Sequence, residues 1–211
     1  MKSHTYIIAK EGWLFLGVAI ALWSLSLMFD FLPWVFLSII VLVAVAYRNP
    51  ERIPEEYDKL ALISPIDGKI KEIKQSKDID GNPCVVVRIQ GAPYLASVVR
   101  APFAFAYKEL KRRDGLNLPL DTKQSSLLNT KMSLLCKGGS HTFWMEIKAG
   151  AWGKQIHFYQ KEKLIRQAER IGFALGAEIS LYLPISTRIR ANEGEHIYGG
   201  ESVFGYLQSE K

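Results

Sequence analysis

The sequence predicts a mostly β domain of antiparallel sheets carried behind an N-terminal pair of apolar helices. Three observations predict it. From residue 60 onward, short runs of alternating apolar and polar residues are interrupted by Gly, Pro, Asn and Asp, the pattern of strands and turns. Asp80-Gly81-Asn82 and Gly138-Gly139 each stand between two such runs, where hairpins place residues that tolerate positive φ. Before residue 48, by contrast, two long apolar runs follow one another with almost no charge. A chain of 211 residues fits one domain behind such a segment, divided here into a membrane hairpin at 1–47 and a β domain at 48–211.

Trp13 to Phe29 and Phe31 to Tyr47 are the two apolar runs, separated only by Asp30. Each has about the minimum length for a helix that crosses a hydrocarbon core of roughly 30 Å. Pro33 falls near the start of the second helix, where its missing amide hydrogen costs nothing. Lys2 and Lys10 precede the pair, and Arg48, Arg52 and Lys59 follow it, so the positive-inside rule places both ends in the cytoplasm at an inner membrane. A secretory signal is the competing reading, but a second apolar run follows at once and no small-residue cleavage site separates them. A re-entrant hairpin that dips without crossing is the other alternative.

Within the remainder, Leu60–Ile63, Lys69–Ile73, Cys84–Ile89, Met132–Cys136, Thr142–Ile147, Gln155–Tyr159 and Ile179–Leu183 read as strands. Lys161 to Arg170, rich in Lys, Glu, Leu, Gln and Ala, reads as one helical turn or more. The formal charge of +6 belongs to this part, since Lys2, Lys10, Glu11 and Asp30 cancel in the first 47 residues. A basic domain beside a membrane segment suits an anionic lipid surface, at roughly 1 kcal/mol per well-placed cation. No basic helix, zinc spacing or RNP-like aromatic strand points to nucleic acid. Lys108, Lys111, Arg112, Arg113, Lys123, Lys131 and Lys137 form a basic cluster that is either a solvated face or a lipid-facing patch, and the loop from Asp114 to Gln124 beside it is a candidate for dipping into the interface.

Several motifs recur in the order of a known family. Arg48-Asn49-Pro50-Glu51-Arg52 follows the apolar segment, then come Ser64-Pro65-Ile66-Asp67-Gly68-Lys69-Ile70, Arg100-Ala101-Pro102, Glu146-Ile147-Lys148-Ala149-Gly150-Ala151, and Phe173-Ala174-Leu175-Gly176-Ala177-Glu178 with the strand that ends at Pro184. Together they resemble the short, membrane-anchored phosphatidylserine decarboxylases, and the resemblance covers most of residues 48 to 207. In that family the last segment reads Phe-x-Leu-Gly-Ser or Phe-Gly-Ser. Its serine attacks the preceding glycine carbonyl, the ester eliminates, and a pyruvoyl group remains as the self-made electron sink for decarboxylation. Ile63–Ile70 and Gly194–Val203 also resemble half-motifs of barrel-sandwich folds such as biotinyl and lipoyl domains. No exposed lysine turn supports a carrier role, so the second stretch is expected to close the β core.

The resemblance assigns Asp67 to the aspartate that orients a histidine base, Ser97 to that histidine's position, and Gly176 and Ala177 to the cleavage position and the pyruvoyl-forming serine. Two of the three reactive positions therefore depart from the pattern. A missing base typically costs about 10²- to 10⁴-fold, whereas an alanine has no oxygen with which to form the ester at all. Gly172 also lies one residue nearer to Gly176 than in many members. Ser140-His141 in the Gly-Gly turn and Ser180 on the following strand are the alternative nucleophiles, each with an ordinary turn or strand explanation. The histidines at 4, 141, 157 and 196 lack metal-ligand spacing, His157 reads as a strand residue, and Cys84 and Cys136 read as reduced strand residues rather than a disulfide.

The expectation is a phosphatidylserine decarboxylase-related membrane protein of phospholipid metabolism that is non-catalytic and holds no cofactor. An active decarboxylase with atypical processing is the alternative, and a membrane-bound barrel-sandwich adaptor a weaker one. The expected partner is an anionic phospholipid or membrane surface, with a homo-oligomer or an active paralogue as further candidates and no nucleic acid.

Overall fold

Apolar residues on every side of a helix leave it no polar face to turn toward water. The computed structural model describes residues 7–153, 155–159 and 164–208, and two such helices open it. A short 3-10 turn at Lys10–Gly12 leads into α1 (Trp13–Met28), and α2 (Pro33–Ala46) returns along it. The reversal takes the four residues 29–32, with Asp30 and Leu32 held at φ of 49° and 47°. That wide turn is why α2 is shorter than the expected 31–47. Its 14 residues rise about 21 Å, less than the roughly 30 Å of a hydrocarbon core. Pro33 sits at the start of α2, as its fixed φ and missing donor favour.

The described residues form fourteen strands: β1 (Ala61–Ile63), β2 (Gly68–Lys77), β3 (Pro83–Gln90), β4 (Val98–Arg100), β5 (Phe105–Arg113), β6 (Lys131–Gly138), β7 (His141–Lys148), β8 (His157–Phe158), β9 (Leu164–Ile165), β10 (Arg170–Phe173), β11 (Glu178–Pro184), β12 (Arg188–Ile189), β13 (His196–Ile197) and β14 (Val203–Tyr206). A four-residue helix, α3 (Ser125–Leu128), lies between β5 and β6. The large sheet is antiparallel and curled, in the order β13-β2-β3-β11-β7-β6-β5-β9. Two smaller sheets, β1-β14-β12 and β4-β10-β8, complete the domain. Gly81 and Gly139 adopt positive φ in the β2–β3 and β6–β7 hairpins, as their turns require.

The two glycine-spaced stretches come together. β13 pairs with Gly68 and Lys69 of β2, while β14 pairs with β1, so the segment 194–206 adds strands to both sheets beside Ser64–Ile70. One expectation fails here. Of Lys161–Arg170, residues 161–163 lie outside the described residues, and the rest is not helical: Leu164–Ile165 pair with β5, Ala168 takes a φ of 60° in a turn, and Arg170 begins β10. Pairing of the buried Ile165 against Phe105 outweighs the intrinsic helix preference of the surrounding residues.

The large sheet has two rims, and one carries the site. Lys69, Gln90, Glu178, Lys148, Lys131 and Arg113 are successive cross-strand partners, forming one polar row across six strands. The connections 91–97, 114–130 and 149–156 all leave from this rim, which also receives the segment 174–177. The opposite rim carries the turns at Gly81 and Gly139. Beneath the sheet, Phe103, Phe105 and Phe143 form a buried ring cluster next to Leu134 and Met145.

Candidate functional site

Asp67 ends the turn between β1 and β2. Gly68 follows it because a Cβ there would collide with the Gln90 carbonyl oxygen. Ser64 Oγ donates to the Ile66 carbonyl at 2.7 Å and fixes the turn from within. The Asp67 carboxylate is buried, and its oxygens accept from a fork of Arg52: Nη1 faces Oδ1 and Nη2 lies 2.8 Å from Oδ2. Oδ1 also accepts the Gly199 N–H at 2.8 Å. Arg52 is held in turn by Glu201 at 3.4 Å and by the Tyr198 ring, whose centroid is 5.1 Å away. Two ionic hydrogen bonds and a backbone donor offset the cost of burying that carboxylate.

Ser97 precedes β4 and is 1% exposed. Its hydroxyl lies 3.3 Å from the Leu95 carbonyl, to which it donates, and accepts the Gly176 N–H at 3.3 Å. Its carbonyl accepts the Ala174 N–H at 3.0 Å, so residue 97 holds the 174–176 segment at two points. Gly176 adopts a φ of 54°, and the fully buried Ala177 gives its carbonyl to the Gly91 N–H at 2.8 Å. Gly91 is packed between two carbonyls: a Cβ on it would lie 2.9 Å from the Ala177 oxygen and 3.4 Å from that of Asp67. Likewise a Cβ on Gly150 would lie 2.8 Å from the Gly176 oxygen.

The residues that the sequence assigns to one site thus gather around the connection after β3, with different degrees of contact. Ser97 touches Gly176 directly. Asp67 adjoins Ala177 through its backbone beside Gly91, while its carboxylate is engaged by Arg52 and Gly199. Arg52 was quoted in the sequence only as part of a motif; the buried aspartate it covers gives it a structural reason. Arg100 of the Arg-Ala-Pro motif donates to the carbonyls of Pro50 at 2.8 Å and Ala168 at 3.2 Å, tying the segment after α2 to the same region. Burial, and then the charge of Arg170, lower the Arg100 guanidinium to about 10, which leaves it charged at neutral pH.

The alternative nucleophiles are placed elsewhere. Ser140 and His141 lie at the opposite rim, the length of β7 away from Lys148, or roughly 23 Å for its eight residues. Ser180 shares a strand face with Glu178 and Tyr182, whereas Ala177, Ile179 and Leu181 alternate with it. His157 is in β8 opposite Phe173, His196 is in β13, and His4 lies outside the described residues. Cys84 and Cys136 are free and buried, and burial holds the Cys136 thiol well above its ordinary range. Among the described residues no group of three or more His, Cys, Asp or Glu is arranged to hold a metal ion.

Beside the site, a cleft of about 430 Å³ is lined by Lys69, Lys71, Gln90, Gly91, Tyr94 and His196, among others. The foot of the helix pair packs on the segment that leads to Gly176: the Tyr47 ring stacks between Phe15 at 5.4 Å and Phe173 at 5.3 Å, and Ala9, Val98, Phe173 and Leu175 pack with it. Elsewhere three of the seven residues of the basic cluster have acidic partners. Lys111, Arg112 and Lys131 pair with Glu109, Asp114 and Glu146 at 3.1, 3.0 and 2.9 Å.

The phosphatidylserine decarboxylase family model matches residues 40–205, so the match covers the site and nearly the whole β domain. The chain belongs to the phosphatidylserine decarboxylase family. A phosphatidylserine decarboxylase proenzyme of Anaplasma phagocytophilum is 29% identical over 97% of this chain and 92% of its own length. Those of Xanthobacter autotrophicus and Amoebophilus asiaticus are 26% and 28% identical, covering 97% and 78% of this chain and 91% and 75% of their own lengths. No solved structure matches the chain. Membership places the protein in phospholipid metabolism. At the position that the sequence resemblance assigns to the pyruvoyl-forming serine stands the fully buried methyl group of Ala177, which has no oxygen from which a pyruvoyl group could be made.

Proposed function

We propose that this chain is a membrane-attached phosphatidylserine decarboxylase relative that neither cleaves itself nor decarboxylates, and that acts by holding anionic phospholipid at its surface. Ala177 carries this reading. Self-processing needs a hydroxyl oxygen next to the Gly176 carbonyl, and the side chain there is a methyl group. Ser97, at the position assigned to the base, spends its hydroxyl on the Gly176 N–H and offers no imidazole to take up a proton. Asp67 remains as a buried structural acceptor for Arg52 and Gly199.

Attachment is assigned to the apolar helices. Lys10–Met28, 19 residues of helix, is long and apolar enough to cross a bilayer, and the shorter α2 returns the chain to the same side by a shallower path. The flanking cations favour an inner membrane with the β domain in the cytoplasm. Lys69 and Lys71 around the cleft supply positive charge for a phosphate-bearing headgroup, with Lys71 shared with Asp121 at 2.9 Å.

The test is to reconstitute the purified chain in vesicles holding carboxyl-labelled phosphatidylserine and to measure labelled carbon dioxide together with vesicle co-flotation. The expected result is flotation that strengthens with anionic lipid and release no greater than from protein-free vesicles. Release above that background would favour an active decarboxylase with atypical processing.

A further inference from the structure

The site rim of the large sheet combines polar residues, strongly exposed apolar tips and proximity to the foot of the helix pair. Of its polar row, Lys69 and Arg113 are exposed cations, whereas Lys148 is buried against Glu178 at 2.7 Å and Lys131 pairs with Glu146 at 2.9 Å. Each of the three connections leaving this rim carries a large exposed apolar side chain: Tyr94 at 66% exposure, Leu127 at 72% and Trp152 at 70%. Two of these connections reach the segment 175–176, next to the cluster at the foot of the helix pair. Gly153, next to Trp152, packs against Leu175, which belongs to the cluster of Tyr47 and Phe173; Pro93, next to Tyr94, approaches Gly176. The Leu120 side chain, from the same connection as Leu127, reaches Gly150.

We infer that this rim is a second membrane contact, in which Tyr94, Trp152 and Leu127 insert among the headgroups of a phospholipid bilayer while the exposed Lys69 and Arg113 face their phosphates. The inference rests on the membrane attachment proposed above. Amphipathic aromatic rings settle at headgroup depth because one part is apolar and the other wet. Tyr94, Leu127 and Trp152 stay exposed among the described residues, and the helices bring the bilayer surface to the cluster against which the connections of Tyr94 and Trp152 approach. Cations beside such tips add electrostatic attraction to anionic lipid that falls off within a Debye length, so the row contributes only if the rim lies against the surface. The cleft at Lys69, Lys71 and Tyr94 then opens at headgroup level rather than toward the cytoplasm.

The experiment uses the full chain in vesicles of phosphatidylcholine and phosphatidylglycerol, with an environment-sensitive fluorophore on one introduced cysteine at a time. Tyr94→Cys, Leu127→Cys and Trp152→Cys report the rim, Ile79→Cys reports the opposite rim, and Leu22→Cys reports α1. The native Cys84 and Cys136 are buried. Quenching by headgroup-labelled lipid is expected to be at least about twofold stronger at 94, 127 and 152 than at 79, with the difference reduced when phosphatidylglycerol is omitted. Quenching at 94, 127 and 152 equal to that at 79, with acyl-chain quenching retained at 22, would overturn the rim contact and leave the helix anchor standing. Rim quenching without any at 22 would support the contact and overturn the anchor, and an aqueous signal at every position would overturn both.

Discussion

At the scale of single residues, the chemistry turns on one missing oxygen. Ala177 is surrounded on all sides, so Ala177→Ser adds a hydroxyl to a closed space, where an unpaired hydroxyl costs about 1–3 kcal/mol. By itself it supplies a nucleophile without a base. Combined with Ser97→His, it supplies both, at a position that meets the Gly176 N–H and at the residue that follows Gly176. Mass spectrometry of the two variants should show slow cleavage before residue 177 in the double substitution and less in Ala177→Ser alone; equal stability of both chains would mean that the shortened Gly172–Gly176 segment misplaces the scissile carbonyl. Arg52 governs stability rather than this chemistry. Arg52→Ala leaves the buried Asp67 carboxylate with only the Gly199 N–H and is expected to cost about 3–5 kcal/mol in a denaturant titration. Arg52→Lys keeps the charge but not the fork, so a smaller loss should be measured.

At the scale of elements, legibility in the sequence follows burial. β6 and the start of β2 alternate in burial, whereas β3, β7 and β11 carry runs of three or four consecutive buried residues; both patterns are visible in the residue order alone. β5 is not visible in that way: after Phe105 its residues are charged and mostly exposed, and its strand geometry comes from pairing with β6. β9, β10, β12, β13 and β14 have two to four residues each, too few for a period to register. Motifs in the sequence single out Asp67, Ser97, Gly176 and Ala177, which the fold brings around the connection after β3. The site was not legible where the partner is distant in sequence and supplies only backbone, as with Gly91 and Gly199. Close backbone approach can be tested directly at Gly172, where an added Cβ would collide with the His157 carbonyl oxygen across β8 and β10. Gly172→Ala should lower stability by about 1–3 kcal/mol, because backbone on both sides must shift. A melting temperature unchanged from the parent would show that the two strands part easily.

At the scale of the whole molecule, the β domain and the helix foot share one packed cluster, so the cleft, the anchor and the segment 173–177 respond together. Its pH dependence should appear on the alkaline side. Burial, and then the Glu146 charge, raise the Tyr182 phenol from 10.0 to about 12. The unfolded tyrosine therefore ionises first, and stability present below pH 10 is lost as pH rises toward 12. Chemical denaturation across that interval should fall less steeply for Tyr182→Phe than for the parent chain. The central claim, that the family's self-processing has been lost from this chain, is tested most directly by the intact mass of the purified protein. One species near 23.9 kDa, apart from N-terminal processing, is the predicted result. A pair of fragments divided between Gly176 and Ala177, with a carbonyl-reactive N-terminus on the smaller one, would contradict it.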